Sequence, residues 1–176
     1  MSSVSLRRAA AVAAALTATV GLSACGTGMS AQTNQQYQAG IGANLRTGPM
    51  LALNTLFVDN GDGTATLSTA FVNKSESQQE LQGVTVTVGD NSPATAEPSS
   101  AVFVSPGGSR SIGAAGEIVV QLDSLTAGAY ADVVLTFDKT GDIEIEAPVV
   151  ERNATYDDVA TAPGGATTAE SGTATE

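Results

Sequence analysis

The chain reads as all-β: a single antiparallel β-sandwich of about seven strands with disordered termini. Three observations predict it. Short runs rich in Val, Ile, Thr and Phe recur from about residue 43 to 150, separated by Gly, Pro, Asn and Asp turns. Several of these runs alternate apolar and polar residues, the period of a half-buried strand. No helical period persists for ten residues anywhere in that stretch.

The elements follow in order. Met50 to Val58 is apolar on both faces and reads as a central strand. Asp59-Asn60-Gly61-Asp62-Gly63 makes the next turn, because Asn and Gly supply positive φ and Asp side chains bond the turn backbone. Thr64 to Asn73 alternates, with Ala65, Leu67, Thr69 and Phe71 on one face. Lys74 to Glu80 is a polar loop, then Val84, Val86 and Val88 share a face opposite Thr85 and Thr87. Asp90 to Ser100 reads as a loop with Pro93 and Pro98, and Ala101 to Ser105 as a short strand stopped by Pro106-Gly107-Gly108. Ile118, Val120 and Leu122 mark another strand, and Tyr130 to Phe137 the next. Asp138-Lys139-Thr140-Gly141-Asp142 turns into a last strand with Ile143, Ile145, Ala147 and Val149 inward, and Glu144 and Glu146 outward. At a sheet edge that acidic row discourages pairing with a second edge.

The ends differ in composition. Arg7 and Arg8 precede an apolar run of about 12 residues from Ala9 to Val20, and Leu22-Ser23-Ala24-Cys25 follows. The run fits a secretory h-region and falls short of the roughly 20 residues a spanning helix needs. Cys25 is the sole cysteine of the chain. The arrangement resembles a bacterial lipoprotein signal. It implies that residues 1–24 are a signal peptide and that Cys25 is lipidated and becomes the mature N-terminus. The protein is then expected at the cell membrane, lipid-anchored on the extracytoplasmic (periplasmic) side. A single acyl chain holds only marginally, and lipoprotein maturation attaches at least two. Residues 25–41, rich in Gly, Ser, Thr, Asn and Gln, read as the lipidated N-terminus and a flexible tether. Residues 42–151 form the sandwich domain, and residues 152–176, rich in Ala, Thr, Gly and Glu, read as a disordered tail.

Cleavage before Cys25 leaves 152 of the 176 residues, enough for one domain and its tails. These carry all 18 acidic side chains and five of the seven basic ones, a formal charge of −13. That balance argues against nucleic acid as a partner. It also argues against docking of the domain on anionic headgroups, so the lipid must anchor alone. The chain has no histidine. Ser-His-Asp and Cys-His triads and every His-ligated metal site are therefore excluded, and an enzyme is not expected.

Candidate sites are few. From Asp59, the third and fifth positions of an EF-hand loop would fall on Gly61 and Gly63, so the calcium pattern fails and a hairpin turn is expected. Ser105-Pro106-Gly107-Gly108-Ser109 lacks the Lys-Ser/Thr and the helix of a phosphate loop. Carboxylates are plentiful, but none sits in an apolar stretch that would raise its pKa as glycosidase chemistry needs. Asn73-Lys74-Ser75 and Asn153-Ala154-Thr155 match a glycosylation sequon, which a bacterial lipoprotein does not use.

Cys25, the Gln-rich tether, "GANLRTGPMLALNTLFVDNGDGTATLSTAFVN" and "VVLTFDKTGDIEIEAPVV" together resemble actinobacterial lipoproteins of the LpqE type. These are similar to the periplasmic copper(I) chaperone family PCu(A)C, over about residues 37–150. The resemblance implies an immunoglobulin/cupredoxin-like sandwich. It also implies a non-enzymatic accessory role beside a membrane-protein complex, with the respiratory supercomplex, on its outer face, as the complex the resemblance points to. The copper site of PCu(A)C uses methionine and histidine. Here histidine is absent, Met29 lies in the tether, and Met50 is the one methionine of the domain, so no ligand is carried over. No metal or other cofactor is expected, and Met50 reads as core. A divergent copper chaperone-like metal binder using Met50, Met29 or carboxylates is the alternative.

Overall fold

The computed structural model describes residues 41–164. Ten strands are assigned there: β1 (Ala43–Leu45), β2 (Met50–Asp59), β3 (Thr64–Asn73), β4 (Gln79–Thr87), β5 (Ala94–Ala96), β6 (Val102–Val104), β7 (Ser109–Ile112), β8 (Val119–Gln121), β9 (Tyr130–Phe137) and β10 (Gly141–Glu151). The all-β expectation holds. The strand count is higher than seven because the chain adds short edge strands. β5 lies inside the expected loop from Asp90 to Ser100, and β7 follows Gly108. Their Ala, Thr, Ser and Arg residues carry no strand signal of their own, and the ladders come from the long strands beside them.

Each long outer strand is flanked by two short ones. β4 pairs β6 through Gln79–Leu81 and β5 through Val84–Val86. β3 pairs β8 through Thr64–Thr66 and β7 through Thr69–Val72. Short edge strands of this kind limit edge-to-edge association. In one layer β2 lies between β3 and β10, with β1 also on β2; in the other β9 lies between β4 and β10. The inner faces meet in one core. Phe71 of β3 and Phe137 of β9 cross the interlayer space edge to face, with centroids 5.3 Å apart and planes at 89°.

β10 joins the layers. It pairs β9 antiparallel from Gly141 to Pro148, then β2 in parallel from Val149 to Glu151. The sandwich is thus not wholly antiparallel. The β9–β10 hairpin sets the direction of β10 in one sheet, and the strand continues into the other without turning.

β2 explains its own double-faced hydrophobicity. Register steps from Leu53↔Ala70 to Leu56↔Ser68, so Asn54 and Thr55 stand against Thr69 alone. This is a β-bulge, and it moves the inward phase from Met50 and Ala52 to Thr55 and Phe57, all fully buried. Asn54 adopts φ 53°, accepts from the Gly42 amide at 3.2 Å and donates its own amide to Asn44 Oδ1 at 2.9 Å. The buried hydroxyls of Thr55 and Thr69 pair at 2.8 Å. The opposite face of β2–β3 is also covered: Leu56, Val58 and Thr66 are buried, Gly113 lies against Ser68, and the Thr66 hydroxyl donates to Ala160 O of the segment after Arg152.

That segment corrects the tail expected from residue 152. Residues 152–164 are placed against the sandwich, with a 3-10 turn at Ala154–Tyr156, and Ala160 is buried. The reason is a set of bonds to its backbone carbonyls, from Arg152 beside it and from Asn60 and Thr66 distant in sequence, which composition does not reveal. Residues 165–176, like residues 1–40, lie outside the described residues.

The bulge gives a stability prediction. Asn54→Val should destabilise the chain by about 1–3 kcal/mol in urea unfolding, because a β-branched residue resists positive φ. Asn54→Gly should cost less than half of that.

Candidate functional site

The residues singled out in the sequence fall in different places. Cys25 and Met29 lie outside the described residues. Met50 is fully buried in the core, opposite Asn73 in the β2–β3 register. Its sulfur is shut from solvent, and among the described residues there is no other methionine, no cysteine and no histidine to share an ion with it.

The Asp59–Gly63 segment is a turn whose carboxylates bind their own chain. Asp59 accepts from the Gly61 amide at 2.8 Å through Oδ1 and from the Ala127 amide at 2.9 Å through Oδ2. Asp62 Oδ1 accepts from the Thr64 hydroxyl at 2.6 Å and the Thr64 amide at 3.0 Å. The Thr64 hydroxyl, and then its amide, hold the Asp62 carboxyl below the ordinary value of 3.8. Gly61 and Gly63 take φ of 78° and 83°, as the tight return requires. The Gly63 carbonyl accepts from Leu122 N at 3.1 Å and Gln121 Nε2 at 2.9 Å, tying the turn to β8.

At the other end of the layers lies a buried polar knot. Asn73, fully buried, donates to Ser77 O at 2.8 Å and Val104 O at 2.9 Å, and accepts from the Ser75 hydroxyl at 2.7 Å. Its amide is thus committed to the fold. Gln79, 1% exposed, accepts from the Thr140 amide at 2.9 Å and donates to Ser75 Oγ at 3.1 Å. The β9–β10 turn docks here: Asp138 accepts from the Glu80 amide at 2.8 Å, and Lys139 donates to Gln78 O at 2.6 Å. The Glu80 amide holds the Asp138 carboxyl below 3.8, with Lys139, 3.4 Å away, adding to it.

The outward face of β9–β10 carries the acidic row. Glu146 stands directly opposite Asp132, Glu144 opposite Val134, and Asp142 accepts from the Thr136 hydroxyl at 2.7 Å. The segments Asp132–Val134 and Glu144–Glu146 line a shallow open depression. Among the described residues no cation pairs with these carboxylates, and no group of three or more His, Cys, Asp or Glu could hold a metal ion. Like charges directly across a ladder repel, which suits a guarded edge better than a rigid ligand set.

Two residues were missed by sequence reasoning. Glu117 is 4% exposed and accepts from the Gly113 amide at 2.8 Å and the Ala115 amide at 3.3 Å, with Arg110 Nη2 3.7 Å from its other oxygen. It closes the loop Gly113-Ala114-Ala115-Gly116, whose small residues before an acid were the available signal. Arg152 gathers the C-terminal segment. Its position just after β10 was visible, but its partners were not.

No family model and no curated protein matches the chain. Solved structures similar to it include the apo PCuAC domain from PmoF1, at 18% identity and TM-score 0.49, covering 62% of this chain and 100% of that one. The apo PmoF2 PCuAC domain matches at 19% identity and TM-score 0.46, covering 64% and 98%. The copper-bound PCuAC domain from PmoF2 matches at 21% identity and TM-score 0.39, covering 62% and 99%. All three scores lie below 0.5.

Asp62 and Asp138 set an acid limit. Both carboxyls are lowered from 3.8 in the folded state, so the unfolded state binds more protons in between, and stability rises with pH there. Their contribution is present above the unfolded value and lost as pH falls through the folded ones. Urea midpoints should be level from about pH 7 to 5 and fall below about pH 4, with a shallower fall in an Asp62→Asn, Asp138→Asn double variant.

Proposed function

We propose that this chain is a lipid-anchored extracytoplasmic lipoprotein whose sandwich serves as a non-enzymatic interaction subunit beside a membrane-protein complex. The observation that carries the reading is Leu22-Ser23-Ala24-Cys25, with the sole cysteine placed directly after a short apolar run and two arginines. A thiol there has no second cysteine in the chain to bridge to, and lipidation gives it a use.

Two further features support the non-enzymatic part. The chain lacks histidine, and the turn and loop carboxylates of Asp59, Asp62, Glu117 and Asp138 accept hydrogen bonds from backbone amides. Groups spent in this way position loops and are poorly free to move protons. The net negative charge of the segment after residue 24 keeps it off anionic headgroups, so a neighbouring protein is the natural target of a tethered domain. The respiratory supercomplex is the partner suggested by the sequence resemblance stated above.

Affinity purification of the full chain from membranes in mild detergent, at native abundance, tests this reading. Reproducible co-purification of a membrane complex is expected, with Cys25→Ala moving the protein to the soluble fraction and losing the partner. Recovery of the chain alone would sink the interaction role.

Copper chaperone-like binding would draw on Met50, Met29 or carboxylates, and of these Met50 is sealed in the core. A Cu(I) competition titration of the full chain should give no affinity tighter than about 1 μM. Tighter binding that disappears in Met50→Leu would reinstate copper handling.

A further inference from the structure

The segment after β10 is held in an unusual way. Arg152 Nη1 donates to the carbonyls of Tyr156 at 3.1 Å and Val159 at 2.8 Å. Its Nη2 donates to Asn60 Oδ1 at 2.6 Å and Ala160 O at 3.4 Å. Asn60 Nδ2 reaches Thr161 O at 3.3 Å, and the buried Thr66 hydroxyl donates to Ala160 O at 2.8 Å. In return, the Ala160 amide donates to Gly113 O at 3.0 Å. Every one of these contacts to the segment engages its backbone.

Side chains of the segment are only partly buried. Tyr156 and Val159 are half-buried, and Ala160, 3% exposed, is its one fully buried apolar side chain. The fit does demand small residues: a side chain on Gly116 would run into the Ala162 carbonyl and crowd Ala160 Cβ. The closed state also leaves Arg152 Nε buried with no acceptor among the described residues. A segment held by polar contacts, burying one alanine and stranding one donor, belongs to the low-stability end of a fold.

We infer that residues 153–162 form a strap that opens independently of the sandwich. Beneath it, Asn60, Thr66, Arg152 and the Gly113 carbonyl make a cradle for a short, bent peptide segment with small side chains. The cradle reads backbone groups, with Gly116 limiting side-chain size. Its occupant here is Val159-Ala160-Thr161-Ala162 of the same chain. Opening uncovers Thr66 and its cross-strand neighbour Val58, both fully buried when the strap is closed. The donors of Arg152 and Asn60 are freed at the same time. This inference does not depend on the lipid anchor or on any membrane partner.

Residue-resolved hydrogen exchange on the full chain tests it. The amides of Val159 and Ala160 should exchange at least about 100-fold faster than those of Leu67 and Leu135, and should ignore low urea, as local openings do. Arg152→Met should speed Ala160 exchange at least tenfold while leaving Leu67 and Leu135 within twofold. Thr66→Val, a milder change that removes one donor, should speed it about threefold. The inference is overturned if the strap amides share the rate and urea dependence of the core, or if both variants accelerate core and strap alike. Protection of Ala160 that rises with protein concentration would overturn the assignment of the occupant, because a second copy would then supply it.

Discussion

Between Pro148 and Val149 the last strand leaves one sheet and enters the other. Pro148, opposite Tyr130, is the last residue of the β9 ladder, and proline offers no amide to continue it. Ala131 and Ala147, directly opposite and fully buried, keep the approach to the crossing narrow. Val149 then donates to Ala129 O and accepts from Gly128 N, both at 2.9 Å, and the strand continues beside β2. Because Glu151 is in register with Asp59, the next residue, Arg152, arrives beside Asn60. The parallel pair is three residues long, yet it places the guanidinium that gathers the strap. It also lies beside the turn whose Asp59 binds the Ala127 loop.

The polar chemistry of the molecule is concentrated where strands end. Asp59, Asp62, Asp138 and Glu117 each satisfy backbone amides, and Asn73 with Gln79 seals one end of the layers. Buried or half-buried polar groups of this sort cost free energy when unpaired and fix one arrangement when paired. Asp132, Glu144 and Glu146 are among the carboxylates not spent in this way, and they face outward along β9 and β10. The result is a scaffold with a defined shape, a repelling edge and no assembled proton-transfer pair among the described residues. Such a body suits the interaction role proposed for it.

Much of the fold was readable because its signals are local. The alternation of Thr64–Asn73 and of Ile143–Val149 carries strand and facing together, and both appear as read. The turns at Asp59–Gly63 and Asp138–Asp142 were readable from Asp, Asn and Gly alone. What stayed hidden depends on distant partners. Asn54 is one of two polar residues in an apolar run, and only the β1 contact and the Thr69 register show that it turns the strand's phase. β5 and β7 exist because β4 and β3 offer them edges. The parallel step of β10 and the docking of Ala160 on Thr66, 94 residues away, leave no periodic trace. Glu117 looked like one acid among 18 until the loop amides around it were placed. Cys25, the residue on which the functional proposal leans, was legible by motif, and it lies outside the described residues.

Sharing β10 should make the two layers one cooperative unit, since neither sheet keeps all its ladders if the strand is lost. Urea unfolding followed by amide cross-peak intensities tests this most directly, with Phe71 and Leu67 reporting on one layer and Val86 and Leu135 on the other. Coincident midpoints across all four residues are the result the account predicts. Separate midpoints for the two layers would contradict it, and would show that β10 links two bodies without making them one.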